Sequence, residues 1–505
     1  MFTLAHTFAP RRRCRNRLFI TVFRERMAPI VPPSKWPTGS GRDILDRTAS
    51  KLVNFSQKLR FEDLSRRAIR NAKARLINCL GVSLGAYDAP PVQVARKLAY
   101  PVSTGPTART FGTLTRTTPD LAAFVNSAMT RFLDMSDTRI REAVSHPADA
   151  LPGLIAIAEA EGCSGKDLLL AQIIAYEVQC RFVDVVPINH KGWDQTSVVA
   201  MGTALGAGRL LGLDKNQMAN ALSLAVVPTV SLNQTRTGKV SMWKGMAGPA
   251  GARQGVFAAL LAREGMTGPD EPFDGDYGIW NQMFEQPYRL PLPTRFTNHT
   301  FAVEETVIKS FPVRFNCHVP IFAALELRKK VKPADIKHLK IESIRQAFDR
   351  WMDLPEIWQP ETRETADHSL PFCVSVALID GKVIPATFSD ARFKDRDVLA
   401  LMKKCSIELP DEYAKLAFET RCCKLTATTK KGREVSVEFR LTPKDDARGM
   451  AKEDLESKFH NLTRPILKPA KRKKLLELCW RADKLKSIDD LVTLTEVSGV
   501  PGRPA

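Results

Sequence analysis

From about Ile44 to Gly265 the chain reads as one helix after another, and these helices are too apolar to sit on a surface. In "DRTASKLVNFSQKL", Ala49, Leu52, Val53 and Phe55 fall near one face. "SRRAIRNAKARLINCLGVSLGA" repeats apolar residues at three and four. "SGKDLLLAQIIAYEVQCRFVDVV" opens with Ser164 and Asp167 in capping-box order and then turns apolar. "VAMGTALGAGRLLGL" is rich in Gly and Ala. Glycine costs a helix about 1 kcal/mol relative to alanine, so its repeated use predicts that another helix backbone comes close. With "DKNQMANALSLAVV" and "GPAGARQGVFAALLAREG", these segments predict a compact all-α domain.

That domain cannot be the whole molecule. A single core stops growing at roughly 250–300 residues, and the chain has 505. After a Pro/Gly-rich connection the period changes. "IKHLKIES", "PFCVSVALIDGKVI" and "KLTATTKKGREVSVEFRL" alternate as strands do, and "KKGR" separates two alternating runs as a hairpin turn would. "KRKKLLELCWRADKLKSIDDLVTLT" is helical again. The expected fold class is mostly α: a large all-helical domain with a smaller α+β lid domain. The expected divisions are a basic targeting or disordered segment over 1–40, the helical domain over 41–305 and the lid over 306–445. C-terminal helices over 446–494 are expected to pack back on the helical domain, ahead of a disordered tail over 495–505.

Charge needs dissection before it carries meaning. The net +20 is concentrated partly at the ends. "RRRCRNRLFITVFRER" is rich in Arg, carries apolar residues and has Glu25 as its one acid, which is transit-peptide composition. The expected location is mitochondrial for a chain translated from Met1 and cytoplasmic for one translated from Met27. The basic runs lack aromatic-rich RNA motifs, zinc-finger spacing and basic zippers, so a nucleic-acid partner is not expected. No apolar run approaches the roughly 18 residues of a membrane span. The ten cysteines have no C-x-x-C spacing. Nothing in that spacing supports a disulfide framework, a zinc site or an iron–sulfur cluster.

Chemistry gathers in short polar constellations ahead of buried elements. "FLDMSDTRIREAVSHPADALP" places Asp134, Asp137, Glu142, His146 and Asp149 at the entrance to a helix. "NHKGWDQTS" carries Asp194. "QTRTGKVSMWKGMAGPAGARQG" carries Gln234, Arg236, Lys239 and Lys244 before a small-residue helix, a natural seat for carboxylates. "VIKSFPVRFNCHVP" carries Lys309, Arg314 and His318, and "TADHSLPF" sets Asp367 and His368 before an expected strand. No dinucleotide fingerprint, Walker loop or nucleophile elbow is present. Cations with His and Asp suit polycarboxylates. The cations hold carboxylates through charge-assisted bonds, a base removes a proton beside a carboxylate, and an acid protonates the departing hydroxyl.

"SHPADALPGLIAIAEAEG", "LLLAQIIAYEVQCR", "SMWKGMAGPAGARQGVFAALLAREGMTGP", "KSFPV" and "ADHSLPF" together resemble the MmgE/PrpD family from about Asp43 to Leu494. The resemblance implies a two-domain enzyme, a homodimer, a small-molecule tricarboxylate substrate and no metal or cofactor. It implies catalytic roles for Asp134, Thr138, His146 and Lys309, although two extra residues separate Thr138 from His146. It implies substrate binding by Asp194, Arg236, Arg314 and a helical-domain lysine that falls on Lys239 or Lys244. The decarboxylase branch resembles a pattern with His where this chain has Asp194 and Arg314. That points to the dehydratase branch, acting on 2-methylcitrate or a related alkylcitrate. The alternatives are cis-aconitate decarboxylation and a non-catalytic relative that kept the fold.

Overall fold

The computed structural model describes residues 46–237, 240–345, 354–389, 391–416 and 420–497. Both the basic N-terminal run and Lys239 lie outside them.

The helical body contains α1 (Arg47–Lys58), α2 (Arg66–Gly85), α3 (Pro90–Leu98), α4 (Pro119–Phe132) and α5 (Leu151–Ala160). It continues with α6 (Gly165–Val183), α7 (Thr196–Leu210), α8 (Lys215–Val226) and α9 (Ala247–Arg263). Asp46 caps α1, whose Ala49, Leu52, Val53 and Phe55 are buried. Ser164 and Asp167 close the capping box at α6. The glycine reading of α7 holds on geometry. A Cβ on Gly202 would stand 2.7 Å from the Ala175 carbonyl oxygen, and one on Gly206 2.8 Å from that of Ala171, both in α6. Side chains at these two places would force α6 and α7 apart.

A second core lies further along the chain, built on α10 (His318–Leu327) and α11 (Leu370–Asp380). It includes a sheet whose strands we label after a smaller one. The smaller sheet belongs to the helical body's edge: β1 (Asp137–Ile140), β2 (Val144–Ser145) and β3 (Val307–Ile308), in the order β2-β1-β3 and antiparallel throughout. The larger has β4 (Ile336–Ser343), β5 (Cys405–Glu408), β6 (Arg421–Thr429) and β7 (Glu434–Leu441) in the order β5-β4-β6-β7. Only β4 and β5 run parallel, and the β6–β7 hairpin turns where "KKGR" predicts it. Helix α10 packs on β6, β7 and α11, so this part is α+β.

One element differs from expectation. "PFCVSVALIDGKVI" was expected as a strand, and its first ten residues lie inside α11 instead. Ser369 caps α11 by accepting from the Phe372 amide, Pro371 sits in the first turn, and Gly381 closes the end at φ +68°. Full burial on all sides explains the preference: with no solvent face, β-branched residues lose the alternation that would otherwise separate strand from helix.

The C-terminal helices α12 (Lys452–Thr463) and α13 (Pro469–Trp480) bury Leu455, Phe459, Leu475 and Cys479 in the first core, and both pack on α2. Order runs past the tail boundary expected at 495. Thr495 is buried, and the Val497 amide donates to the Gly112 carbonyl. The nine cysteines among the described residues are free thiols. No described helix is long and apolar enough to cross a membrane.

Candidate active site

Three short strands assemble the site. Asp134 follows α4 and precedes β1, His146 follows β2, and Lys309 follows β3. Register sets Asp137 opposite Ile308 and Thr138 opposite Val307, with Arg139 opposite Ser145. Residues 175 apart in sequence are thereby neighbours. Asp134 holds φ +53°, a left-handed conformation uncommon for a residue with a side chain. It turns the carboxylate out of the helix end and into a buried cluster of cations.

In that cluster the Lys309 Nζ donates to Asp134 Oδ1 at 2.6 Å and Arg131 Nη1 to the same oxygen at 2.7 Å. The Lys244 Nζ lies 3.4 Å from Asp134 Oδ2 and 3.3 Å from Asp367 Oδ1. Arg363 Nη1 donates to Asp367 Oδ2 at 3.2 Å, and His368 Nδ1 pairs closely with Asp367 Oδ1. Lys244 comes from a turn ahead of α9, whereas Arg363, Asp367 and His368 precede α11. The cluster is the seam between the helical body and the α+β part. Arg363 strengthens that seam by donating to the Phe132 carbonyl at 3.1 Å and stacking over the Phe132 ring at 4.4 Å.

Electrostatics divide the groups by role. Burial pushes the Asp134 carboxyl up, but Lys244, Lys309 and Arg131 outweigh it and hold the group well below the usual carboxylate range. Burial brings Lys309 down to about 8 against the pull of Asp134. Burial, with Arg131 and Lys309 nearby, drives His146 well below its ordinary value, so its imidazole is neutral at pH 7. His368 falls to about 4, again chiefly by burial. Asp149 rises to about 7 by burial, against the pull of Arg131 and Arg236. A neutral imidazole is free to accept a proton, and a lysine near 8 can give one up near neutral pH.

Supporting contacts hold these groups still. The His146 amide donates to Gln195 Oε1, and Gln195 Nε2 donates to Asp149 Oδ2 at 3.3 Å. The ring Nδ1 of His146 lies 3.4 Å from the Asp137 carbonyl. The Thr138 hydroxyl is buried and donates to the Ser145 carbonyl at 3.1 Å, across the small sheet. Asp194, fully buried, pairs with Arg236 and accepts from the Thr196 amide at 3.2 Å and from Thr196 Oγ1 at 2.8 Å, beside the start of α7. The backbone amide of half-buried Arg314 donates to the Asp367 carbonyl at 2.9 Å.

Of the residues expected from sequence, Lys309 and Lys244 both meet Asp134 directly, and Lys239 lies outside the described residues. His146 and Thr138 flank them on the small sheet. Arg236 and Asp194 form a neighbouring pair, of which Arg236 acts on Asp149 through charge.

Sequence reasoning passed over Arg131, Arg363 and Lys458. Arg131 reads as an ordinary basic residue in a helix's last turn. Lys458 lies in "KEDLESKFHNLT", where charge suggests a solvated face. It is instead half-buried, and its Nζ donates to Asn78 Oδ1 at 2.7 Å, the Met135 carbonyl at 2.7 Å and the Lys309 carbonyl at 2.6 Å. It ties together the backbones beside Asp134 and at Lys309.

Asp134, Asp367 and His368 each offer a ligand atom within 4.8 Å of the others, a spacing that could hold a cation. The Lys244 ammonium already lies between the two carboxylates.

A helical body joined to an α+β part gathers candidate acid and base groups, a lysine–aspartate cluster and a neutral histidine, in one buried place at the seam. The MmgE/PrpD N-terminal domain matches residues 50–290 and the MmgE/PrpD C-terminal domain residues 311–482. The chain belongs to the MmgE/PrpD family. It is 31% identical to a 2-methylcitrate dehydratase of Cupriavidus necator, over 68% of this chain and 73% of the relative. It is 29% identical to a 2-methylcitrate dehydratase of Salmonella typhi, over 72% of this chain and 77% of the relative. It is 25% identical to human cis-aconitate decarboxylase, over 88% of this chain and 93% of that protein.

Proposed function

We propose that the protein is a hydro-lyase that removes water from 2-methylcitrate or a related alkylcitrate by acid/base catalysis without a metal. The observation that carries this reading is the buried cluster in which Lys309, Lys244 and Arg131 surround Asp134 beside neutral His146. Relatives named as 2-methylcitrate dehydratases support it.

In the proposed reaction the substrate's carboxylates take up the cations of the seam, with Lys244 and Arg131 as binding groups and Arg236 beside them. His146, uncharged, takes the proton from the carbon next to a carboxylate. The electron pair of that C–H bond forms the alkene, and the C–O bond to the hydroxyl breaks. Protonated Lys309 gives the leaving hydroxyl its proton, so that water departs. Asp134 is held ionised by its cations and makes a poor proton donor at neutral pH, so its role is to position Lys309 and Lys244. Thr138 orients the substrate from the small sheet. Opening the seam between Arg363 and Phe132 admits the substrate, which makes the α+β part a lid. A homodimer, and mitochondrial delivery of the chain that starts at Met1, accompany this reading as proposals.

The cis-aconitate decarboxylase reading has one specific support, the longer match to the human enzyme. Against it, Asp194 binds Arg236 as a carboxylate can and the decarboxylase branch's His cannot. The test is separate incubation with 2-methylcitrate, citrate and cis-aconitate, following alkene absorbance and released CO₂. Alkene from a hydroxy-acid without CO₂ supports the hydro-lyase. CO₂ from cis-aconitate overturns it, and silence with all three contradicts both.

A further inference from the structure

The charge of this protein is not spent at the seam. On the far side of α2, Arg66, Arg67, Arg70 and Lys73 follow one another at helical spacing and face a cleft against α12 and α13. The cleft is two adjoining hollows of about 370 and 660 Å³, which share Arg70, Lys452 and Trp480 as walls. Arg75 and Arg448 add two more guanidinium groups to the smaller hollow, which has no acidic residue in its lining. Asp483 is the one acid lining the larger hollow, and Lys73 engages it at 2.6 Å. Four other cations have acidic partners outside the lining: Arg67 with Glu304 at 3.0 Å, Arg448 with Asp445 at 3.5 Å, Lys452 with Glu456 at 3.7 Å and Arg75 with Asp137 at 3.9 Å. Arg66 and Arg70 have no ion-pair partner among the described residues. The amides that open α12 have no side-chain cap, and the residues before them line the smaller hollow.

We propose that this cleft is a second binding site, separate from the seam, for a small polyanion that carries two or more phosphate or carboxylate groups. Cations that converge on an open cleft whose volume is within the ordinary range of ligand sites favour a compact anion over an extended polymer. Clustered like charges repel one another until an anion neutralises them. The uncapped start of α12 adds amide donors and the positive end of a helix dipole. Trp480 closes one side, held by its Nε1 hydrogen bond to Glu456 at 2.7 Å, and offers a face for an apolar or planar portion of the ligand.

The site also reaches the catalytic framework. Arg75 lines the smaller hollow while its Nε donates to Thr306 Oγ1 at 3.0 Å and its Nη2 to the Thr306 carbonyl at 2.6 Å. Ile308, another wall of that hollow, is the strand neighbour of Lys309.

The test is calorimetric titration of the intact protein with pyrophosphate and, separately, with citrate. It is run at about 0.1 M ionic strength, where the screening length is about 10 Å. The control is the exposed pair of substitutions Arg70→Glu with Lys452→Glu. Lys309→Met serves as a second control, in which the seam is impaired and the cleft is intact. Saturable binding that weakens about tenfold or more in the double variant and persists in Lys309→Met is expected. Preference between the two anions identifies the chemistry of the natural ligand. Absence of saturable binding, or binding that the double variant leaves unchanged, overturns the proposal. Binding of a single-stranded RNA oligomer but neither small anion also overturns it, in favour of a nucleic-acid surface. None of these readouts needs turnover, so they stand apart from the activity proposed for the seam.

Discussion

Lys309 is where charge and geometry are most tightly joined. It must be protonated to bind a carboxylate or to supply the leaving hydroxyl with a proton, and burial brings it down to about 8. Protonated lysine therefore prevails below about pH 8 and is lost above it. We predict that kcat/KM for the hydroxy-acid falls roughly tenfold per pH unit above that point. Rate measurements from pH 6 to 10 check this, and Lys309→Arg, whose guanidinium does not give up its proton, should keep binding while kcat falls. A second residue-scale prediction concerns Gly248, in the first turn of α9. A Cβ there would stand 2.0 Å from Asp149 Oδ2. Gly248→Ala must displace the Asp149 carboxylate and with it Gln195, which holds His146. Crowding of this kind costs about 1–3 kcal/mol. Denaturant unfolding should show that loss, with a fall in kcat larger than any change in KM.

Among elements, the three-stranded sheet deserves the most weight, because it sets Asp134, His146 and Lys309 at three strand ends. Lys458 of α12 braces it from outside. Lys458→Met removes a donor from three acceptors, and each acceptor left buried and unpaired costs about 1–3 kcal/mol. The variant should unfold at lower denaturant and lose turnover, while Lys458→Arg should recover part of both; unchanged kcat in a folded Lys458→Met would remove Lys458 from this role.

At the same scale the limits of sequence reading are visible. The helices of the body were legible because apolar spacing, the Ser164–Asp167 box and the glycines of α7 agreed. The hairpin of β6 and β7 was legible from its turn. Helix α11 was not, since a fully buried run shows no period, although Ser369, Pro371 and Gly381 marked its two ends. The small sheet had no signal either: strands of two and four residues are too short to show a period, and β3 joins β1 from far along the chain. The candidate site was half legible for the same reason. Its residue types stood out in short polar stretches, but what Arg131 and Lys458 touch depends on packing that no local pattern encodes.

For the whole molecule, the two cores meet along a seam closed by Lys244 with Asp367 and by Arg363 with Phe132. If that seam is a lid, Arg363→Ala loosens it by removing one ion pair, one hydrogen bond and one stacked contact. KM should then rise several-fold, with kcat lowered less. The Lys244 ammonium between Asp134 and Asp367 also bears on metal dependence. We predict that prolonged chelation leaves turnover unchanged and that added divalent cations do not raise it; metal-restored activity after chelation would assign Asp134, Asp367 and His368 a different part.

The central claim is that His146 takes the proton in a dehydration at this seam. The direct measurement is the rate of alkene formation from 2-methylcitrate by the protein and by His146→Ala, with circular dichroism showing that both are folded. A positioned base contributes about 10²–10⁴-fold, so the variant should retain at most about one hundredth of the rate, with a near-normal KM. A folded His146→Ala protein that turns over at close to the original rate would contradict the account.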